Sequence, residues 1–401
     1  MSTRGIIGAV MGDIAGSSHE FSAARSPRFK FFDSKSTFTD DTALTMAVAE
    51  WMMDRDGSDI SDCLLKWGRK YPHAGYGHGF KAFLQTGEKP QAGSDHNGSA
   101  MRVSPVGFLA SSLDEAFALA RESALPSHDT PGGIAGAQAL AAAVYMARTG
   151  SSKEEIREFL EDRFGFDLSR SYDVVRSEVQ QTLELRSRDR DAARPRLLSA
   201  VSTVQDAIVA FLAGDDYEST VRLAIWLGGD SDTVGCMAGA VAAAFWGVPD
   251  ELVRKALTML PPDMIEVINR CDGTAWKPSG ITPSNTHRWS PDDMVVYGCN
   301  AEDTTGEQGF FDVRPSRFVR HPNAGYGIVT MGRALDEIEN QVMTLRGKAA
   351  ANPERRYLVK EVGISKAGYT VEQMAPLFGW ALDTENVLLP ASFMEFLSRN
   401  R

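Results

Sequence analysis

From its start to about Cys271 the chain repeats apolar residues mainly at helical spacing, with few alternating runs, and beyond residue 292 that period gives way to short apolar runs. The switch constrains the fold sharply: the first stretch must bury helices against helices, and the second must build a sheet with helices to cover it. After Asp41, the positions Leu44, Ala47, Val48, Trp51 and Met52 follow the pattern of a buried helical stripe, with Thr39 or Asp40 as its natural cap. Further helices are predicted over residues 114–122, 134–148, 153–164, 174–185, 203–213 and 217–227. The most apolar segment, 234–246, is broken by Gly235 and Gly239 and ended by Gly247, so it is read as a core helix and not as a membrane span. Residues 186–194 mix arginines with aspartates and are read as a solvated loop or helix face without assigned function.

Residues 272–292 are rich in Pro, Ser, Thr and Gly, the composition of a linker. The expected organisation is an all-α multi-helix domain over 1–271, a linker over 272–292, and a smaller α/β domain over 293–401 with a mostly parallel sheet. Its strands are expected at 294–297, 327–330, 357–362 and 387–389, with Leu335, Ile338, Val342 and Leu345 marking a helix between the second and third.

The net charge of −11 argues against a general nucleic-acid binder, because nonspecific affinity comes from Lys and Arg displacing counterions, and leaves room only for a local basic groove. Cys63, Cys236, Cys271 and Cys299 are spaced for neither a disulfide framework nor a Cys-x-x-Cys metal site. Reduced thiols, together with an N-terminal stretch that lacks the pattern of a secretory signal, set the expectation of a cytoplasmic protein with no membrane partner.

Chemistry concentrates in two distant segments, Thr39-Asp40-Asp41-Thr42 and Gly229-Asp230-Ser231-Asp232-Thr233, each leading into an apolar helix. Asp230 and Asp232 cannot share a helical face, but they converge if they stand where the chain enters the helix, which Gly228 and Gly229 permit. Acids and threonines there could simply cap the helices. Brought together without a cation, however, the four carboxylates would repel and some would protonate. A donor set of carboxylates and hydroxyls, with no His or Cys, suits Mg²⁺ or Mn²⁺ better than zinc, and bridging aspartates would allow two ions. Spacing alone leaves capping and metal binding both open. A third element, Gly12-Asp13 through Gly16 to Glu20, places Gly8, Gly12 and Gly16 four apart, as close helix packing would require; Glu20 reads either as a surface residue or as a general base.

Together these segments resemble the ADP-ribosylglycohydrolase family over residues of roughly 5–260. The pieces stand in the family's order: Gly12-Asp13 with Gly16 and Glu20, then Thr39-Asp40-Asp41-Thr42, Gly75-Tyr76-Gly77-His78-Gly79, Asn97-Gly98-Ser99-Ala100-Met101-Arg102, Ser127-His128 and Gly229 to Gly235. The resemblance implies two Mg²⁺ ions (or Mn²⁺) on Thr39, Asp40, Asp41, Asp230, Asp232 and Thr233, and substrate contacts from Gly77, Gly79, Asn97, Gly98, Ser99, Met101 and His128. It implies cleavage of a glycosidic bond of ADP-ribose, with Glu20, Asp41 and Asp232 as the catalytic carboxylates. The implied partner is an ADP-ribosylated protein or another ADP-ribose conjugate, nucleic-acid conjugates included. The alternatives are an ADP-ribose-binding or immunity protein that engages a toxin ADP-ribosyltransferase or its target, and a metal-dependent nucleotide phosphohydrolase. The sequence departs from the family's pattern at Ser17-Ser18-His19 and at Asp129-Thr130-Pro131-Gly132-Gly133, which leaves the linkage open.

Residues from about Met294 resemble, more weakly, a macro-like α/β domain of phage-associated proteins, through His321-Pro322-Asn323-Ala324-Gly325-Tyr326-Gly327, Lys366-Ala367-Gly368-Tyr369 and Asn386 to Pro390. Such an accessory domain would serve in recognition of an ADP-ribosylated target or nucleotide, in a structural or oligomerising role, or in a second catalytic activity, and the sequence leaves these open.

Overall fold

Gly8, Gly12 and Gly16 fall on one face of the first helix, α1 (Ile7–Gly16), and that face meets backbone. In this computed structural model the described residues are 4–276 without 22–23, 25 and 91–92, and 294–399 without 300–324, 331, 354, 365–366 and 385. They group into two units, Met1–Ala256 with Pro262–Trp276, and Leu257–Pro261 with Lys277–Arg401. Most of the expected linker, and the His321-Pro322-Asn323-Ala324 motif and Lys366, lie outside the described residues.

The first unit is helical. Its elements are α1, α2 (Asp40–Met53), α3 (Ile60–Lys70), α4 (His78–Thr86), α5 (Ser104–Leu109), α6 (Leu113–Ala124), α7 (Pro131–Thr149) and α8 (Lys153–Phe164). There follow α9 (Tyr172–Arg186), α10 (Arg190–Leu198), α11 (Ala200–Ala213), α12 (Tyr217–Leu227), α13 (Ser231–Trp246), α14 (Asp250–Leu257) and α15 (Pro262–Asp272). No helix among the described residues is long and apolar enough to cross a membrane.

The centre is the pair α1 and α13. All ten residues of α1 and fourteen of the sixteen in α13 are buried, as expected for helices that are apolar on every side. A Cβ at Gly12 would stand 2.0 Å from the Gly235 carbonyl oxygen, and one at Gly8 would stand 2.2 Å from the Ala243 Cβ. The helices therefore touch backbone to backbone, and the Tyr217 hydroxyl closes the far end by donating to the Gly8 carbonyl at 2.8 Å.

At the start of α1, Ile6 and Ile7 donate their backbone N–H groups to the Asp272 carboxylate at 2.8 and 3.2 Å, tying α15 to α1. Burial pushes this carboxyl up to about 7, with the two hydrogen bonds pulling the other way. The folded state thus holds the Asp272 proton more tightly than the unfolded chain does. The contribution to stability is fully present below the ordinary carboxylate range and is lost as pH rises through about 7. Replacing Asp272→Asn is expected to flatten part of the fall in unfolding temperature between pH ~5 and pH ~8, read by thermal denaturation across that range.

In the second unit, β1 (Met294–Cys299), β2 (Gly325–Val329), β3 (Tyr357–Val359) and β4 (Val387–Leu388) form a parallel sheet in the order β2-β1-β3-β4. Between β2 and β3 runs α16 (Leu335–Ala351), whose Ile338, Val342 and Leu345 pack with Met294, Val296 and Ile328. Val295, Leu358 and Leu388 form a smaller cluster of their own, as alternation along a strand demands. The third strand is shorter than the pattern suggests: it stops at Val359, ahead of a turn in which Gly363 adopts φ 76°.

Candidate functional site

The site is built from two helix N-termini. Gly228 and Gly229, at φ 89° and 77°, turn the chain out of α12 so that Asp230 stands at the N-cap position of α13 and Asp232 in its first turn. Capping does not account for Asp230: its side chain makes no capping bond and instead accepts from Asn97 Nδ2 at 2.7 Å. At α2 the cap is Thr39, whose Oγ1 accepts from the Asp41 N–H at 3.3 Å, so Asp40 and Asp41 are not needed for it.

The two segments meet at Asp41. Its Oδ2 lies 3.2 Å from Thr39 Oγ1 and 3.3 Å from Thr233 Oγ1, while its Oδ1 is buried without a hydrogen-bond partner. Behind it, the fully buried Asp13 accepts from the backbone N–H groups of Thr39 and Thr42 at 2.8 and 3.1 Å, and from the Thr39 hydroxyl at 2.8 Å. Asp13 thereby fixes the first turn of α2 to α1. Glu20, exposed at the rim, completes a group with Asp230 and Asp232 whose carboxylate oxygens lie within 4.8 Å of one another. Its neighbour Phe21 takes φ 51° and donates its N–H to the Gly229 carbonyl at 2.7 Å, holding the rim against the entrance to α13.

Burial drives the Asp41 carboxyl well above the usual range, and the charges of Asp13, Asp40 and Asp230 add to it. Asp232 is raised well above its ordinary value by burial and then by Asp230, Asp41, Glu20 and Asp13. Asp230 is raised by burial against the opposing hydrogen bonds from Asn97 and Asp232. The protein alone supplies too little positive charge to keep these acids ionised together. A hard cation among them relieves both the repulsion and the orphaned Asp41 oxygen, so the residues present fit a divalent ion.

These acids floor a cavity of about 410 Å³. One wall is Gly77, His78 and Gly79 at the N-terminus of α4, where backbone N–H groups favour an anion. Another is Asn97, Gly98, Met101 and His128. Gly98 has no room for a side chain, since a Cβ there would come within 2.9 Å of His128 Nε2. Ser99 stands apart from the wall: it is fully buried and its hydroxyl donates to the Gly133 carbonyl at 2.7 Å. Thr39 also lies behind the surface, reaching the site through Asp41.

Sequence reasoning passed over what lies behind His128. The fully buried Arg102 donates from Nη2 to the Ser123 carbonyl at 2.7 Å and to Ser127 Oγ at 3.0 Å, and Ser127 Oγ lies 2.8 Å from His128 Nδ1. The Ser127 hydroxyl accepts from Arg102 and keeps its own hydrogen, so it can donate to Nδ1, an arrangement that favours the tautomer with the ring proton of a neutral His128 on Nε2. Burial, with Arg102 and His96 adding to it, holds His128 well below the usual histidine value and so neutral. The signal was present in the quoted Asn97–Arg102 and Ser127-His128 motifs, but nothing in them shows an arginine turned inward.

The model of the family described as ADP-ribosylglycohydrolase matches residues 3–274. The ADP-ribosylhydrolase ARH3 of Homo sapiens is 30% identical over 260 residues, covering 53% of this chain and 71% of that protein. Its counterpart in Mus musculus is 30% identical with 53% and 70% covered, and the uncharacterized protein YegU of Escherichia coli (strain K12) is 28% identical with 53% and 73% covered. Among solved structures, a chain of an ADP-ribosylglycohydrolase-related protein complex aligns at 23% identity and TM-score 0.47, over 68% of this chain and 96% of its own.

Proposed function

The chain belongs to the ADP-ribosylglycohydrolase family, hydrolases of ADP-ribose glycosidic bonds, and on that footing we propose that its first unit removes ADP-ribose from a modified target in a reaction that depends on Mg²⁺ or Mn²⁺. The observation that carries this reading is the meeting of Asp41 with Thr233 across two helix N-termini, which leaves a buried carboxylate oxygen without a protein partner.

Thr39, Asp40, Asp41, Asp230, Asp232 and Thr233 would hold two such ions, which when bound supply charge neutralisation and Lewis acidity toward oxygen ligands. The chain's own residues do the rest. The N-terminus of α4 and the Nε2–H of His128 suit the diphosphate, with Gly77 and Gly79 allowing close approach and Asn97, Gly98 and Met101 lining the ribose side. Asp41 and Asp232 orient a water toward the anomeric carbon and stabilise the positive charge that builds on the ribose as the bond stretches. Water's hydroxyl joins the anomeric carbon and its proton passes to the departing atom. Glu20, exposed at the rim within reach of Asp232, is placed to carry that proton.

The test is incubation of the protein with an ADP-ribosylated peptide, with Mg²⁺ or with EDTA, and mass spectrometry of the products. Free ADP-ribose that disappears with EDTA is expected; AMP and ribose phosphate would mean attack on the pyrophosphate instead. Ser127→Ala is expected to release His128 from its fixed tautomer and raise KM about tenfold, with a smaller effect on kcat, in steady-state kinetics on the same peptide.

A further inference from the structure

The arginines between 186 and 194 are not a uniformly solvated face. A recess of about 500 Å³ opens beside the cleft, lined by Arg186, Arg190, Asp191 and Arg194, and it shares Phe21, Arg194 and Leu198 with the cleft itself. The Arg186 guanidinium carbon lies 4.0 Å above the Phe21 ring. On α10, which carries Arg190 and Arg194, Arg196 is committed to the fold, donating to both oxygens of the buried Asp206 at 2.7 and 2.8 Å. No ion pair within 4.0 Å joins Arg186, Arg190 or Arg194 to another described residue, although the Arg186 charge is felt by Asp230, and Asp191 is the only carboxylate among the described residues of the recess wall. The recess is thus a local positive surface on a chain whose net charge is −11.

We propose that this recess receives the phosphodiester backbone of a nucleic-acid strand carrying the ADP-ribose that the cleft removes. The proposal rests on the hydrolase reading above and names its substrate class. Three features carry it. First, the recess adjoins the rim at Phe21, next to Glu20, so it lies off the acidic end of the cleft, where the leaving group departs. Second, the diphosphate of ADP-ribose has its own donors at α4 and His128, while Arg186 and Arg190 do not line the cleft. Third, Arg190 and Arg194 stand four apart on α10, where side chains are neighbours about 5–6 Å apart at Cβ, and Arg186 at the end of α9 lines the same recess, so three guanidinium groups face it, more than one phosphate needs. Arginines interleaved with an aromatic ring also make a platform for bases, independent of sequence.

The experiment uses full-length protein and three conjugates of ADP-ribose: a neutral peptide, a phosphopeptide and a single-stranded DNA oligonucleotide. Wild type, Arg190→Ala and Arg190→Glu are compared; Arg190 is exposed at the start of α10, so folding is not at stake. Expected on the oligonucleotide conjugate is a fall in kcat/KM of about fivefold for Arg190→Ala and more for Arg190→Glu, a shallower salt dependence of binding, and no change on the neutral peptide. Equal losses on all three conjugates would assign the arginine to ADP-ribose itself and overturn the proposal, as would equal losses on the phosphopeptide and the oligonucleotide, or no loss. If no conjugate is hydrolysed, the hydrolase reading fails. Fluorescence anisotropy of oligonucleotide binding then still tests the recess, because weakening by Arg190→Glu supports it and indifference overturns it.

Discussion

Asp41→Asn and Asp232→Asn are each expected to abolish release of ADP-ribose, by about a thousandfold or more, and to leave the unfolding temperature of the metal-free protein unchanged or raised. The first half follows because both carboxylates lie on the cavity wall, where losing one removes an oriented charge from the reacting centre. The second half follows because each is held above its ordinary range by burial and by neighbouring acids, so the neutral amide relieves repulsion. Asn also retains an oxygen to accept from the Thr233 hydroxyl that reaches Asp41. Product assays and calorimetry in EDTA check the two halves separately. Equal loss of activity and stability would mean that these acids hold the fold together, and that the site has been misread. Added Mg²⁺ is expected to stabilise wild type more than either variant, by mass action on the folded state.

Gly12→Val is expected to prevent folding of the first unit, whereas Gly16→Ala is expected to leave it folded and cost about a hundredfold in activity. At Gly12 the new Cβ would stand 2.0 Å from the Gly235 oxygen and 2.9 Å from the Cys236 nitrogen, all backbone of a helix buried on every side, with no flexible side chain to yield. Overpacking of that kind exceeds the roughly 1–3 kcal/mol typical of inserted methylenes. Gly16 sits at the last turn of α1, where a Cβ would meet the Ser231 oxygen at 2.2 Å and the Asp232 Cα at 2.6 Å. The clash is again with backbone, but it falls at the end of α1 and the first turn of α13 and not in the middle of the pair, and the turn that must shift carries Asp230 and Asp232, where a displacement of about 1 Å in a catalytic group is enough for the loss stated. Circular dichroism distinguishes the two outcomes, and turnover measures the second.

The glycine spacing of α1 and the two acidic segments were legible because each follows a simple rule, a helical period in one case and like charge needing a counterion in the other. The convergence of Asp230 and Asp232 was also legible, from the glycines before them. What escaped the sequence depended on long-range contact. Asp13 gives no local sign that it takes its hydrogen bonds from the start of α2. Arg102 stands in the sequence only as the end of a motif, and its burial beneath Ser127 has no local sign. Helix α10 lies partly in the stretch read as a solvated loop or helix face, because its mixed arginines and aspartates carry no apolar period, and it accommodates Pro195 inside it. Strand order in the second unit was equally unreadable, since short apolar runs specify burial and not neighbours.

Asp272 fastens the end of α15 to the first N–H groups of α1, so the helical array starts and finishes at one spot, latched by two hydrogen bonds. In engineering terms the unit is a cassette. Material spliced on after the latch is expected to leave the helices intact, and joining the old ends by a short bridge while opening new ones at an exposed turn, such as the one at Gly150 where a side chain would meet nothing within 4 Å, is expected to give a folded permutant.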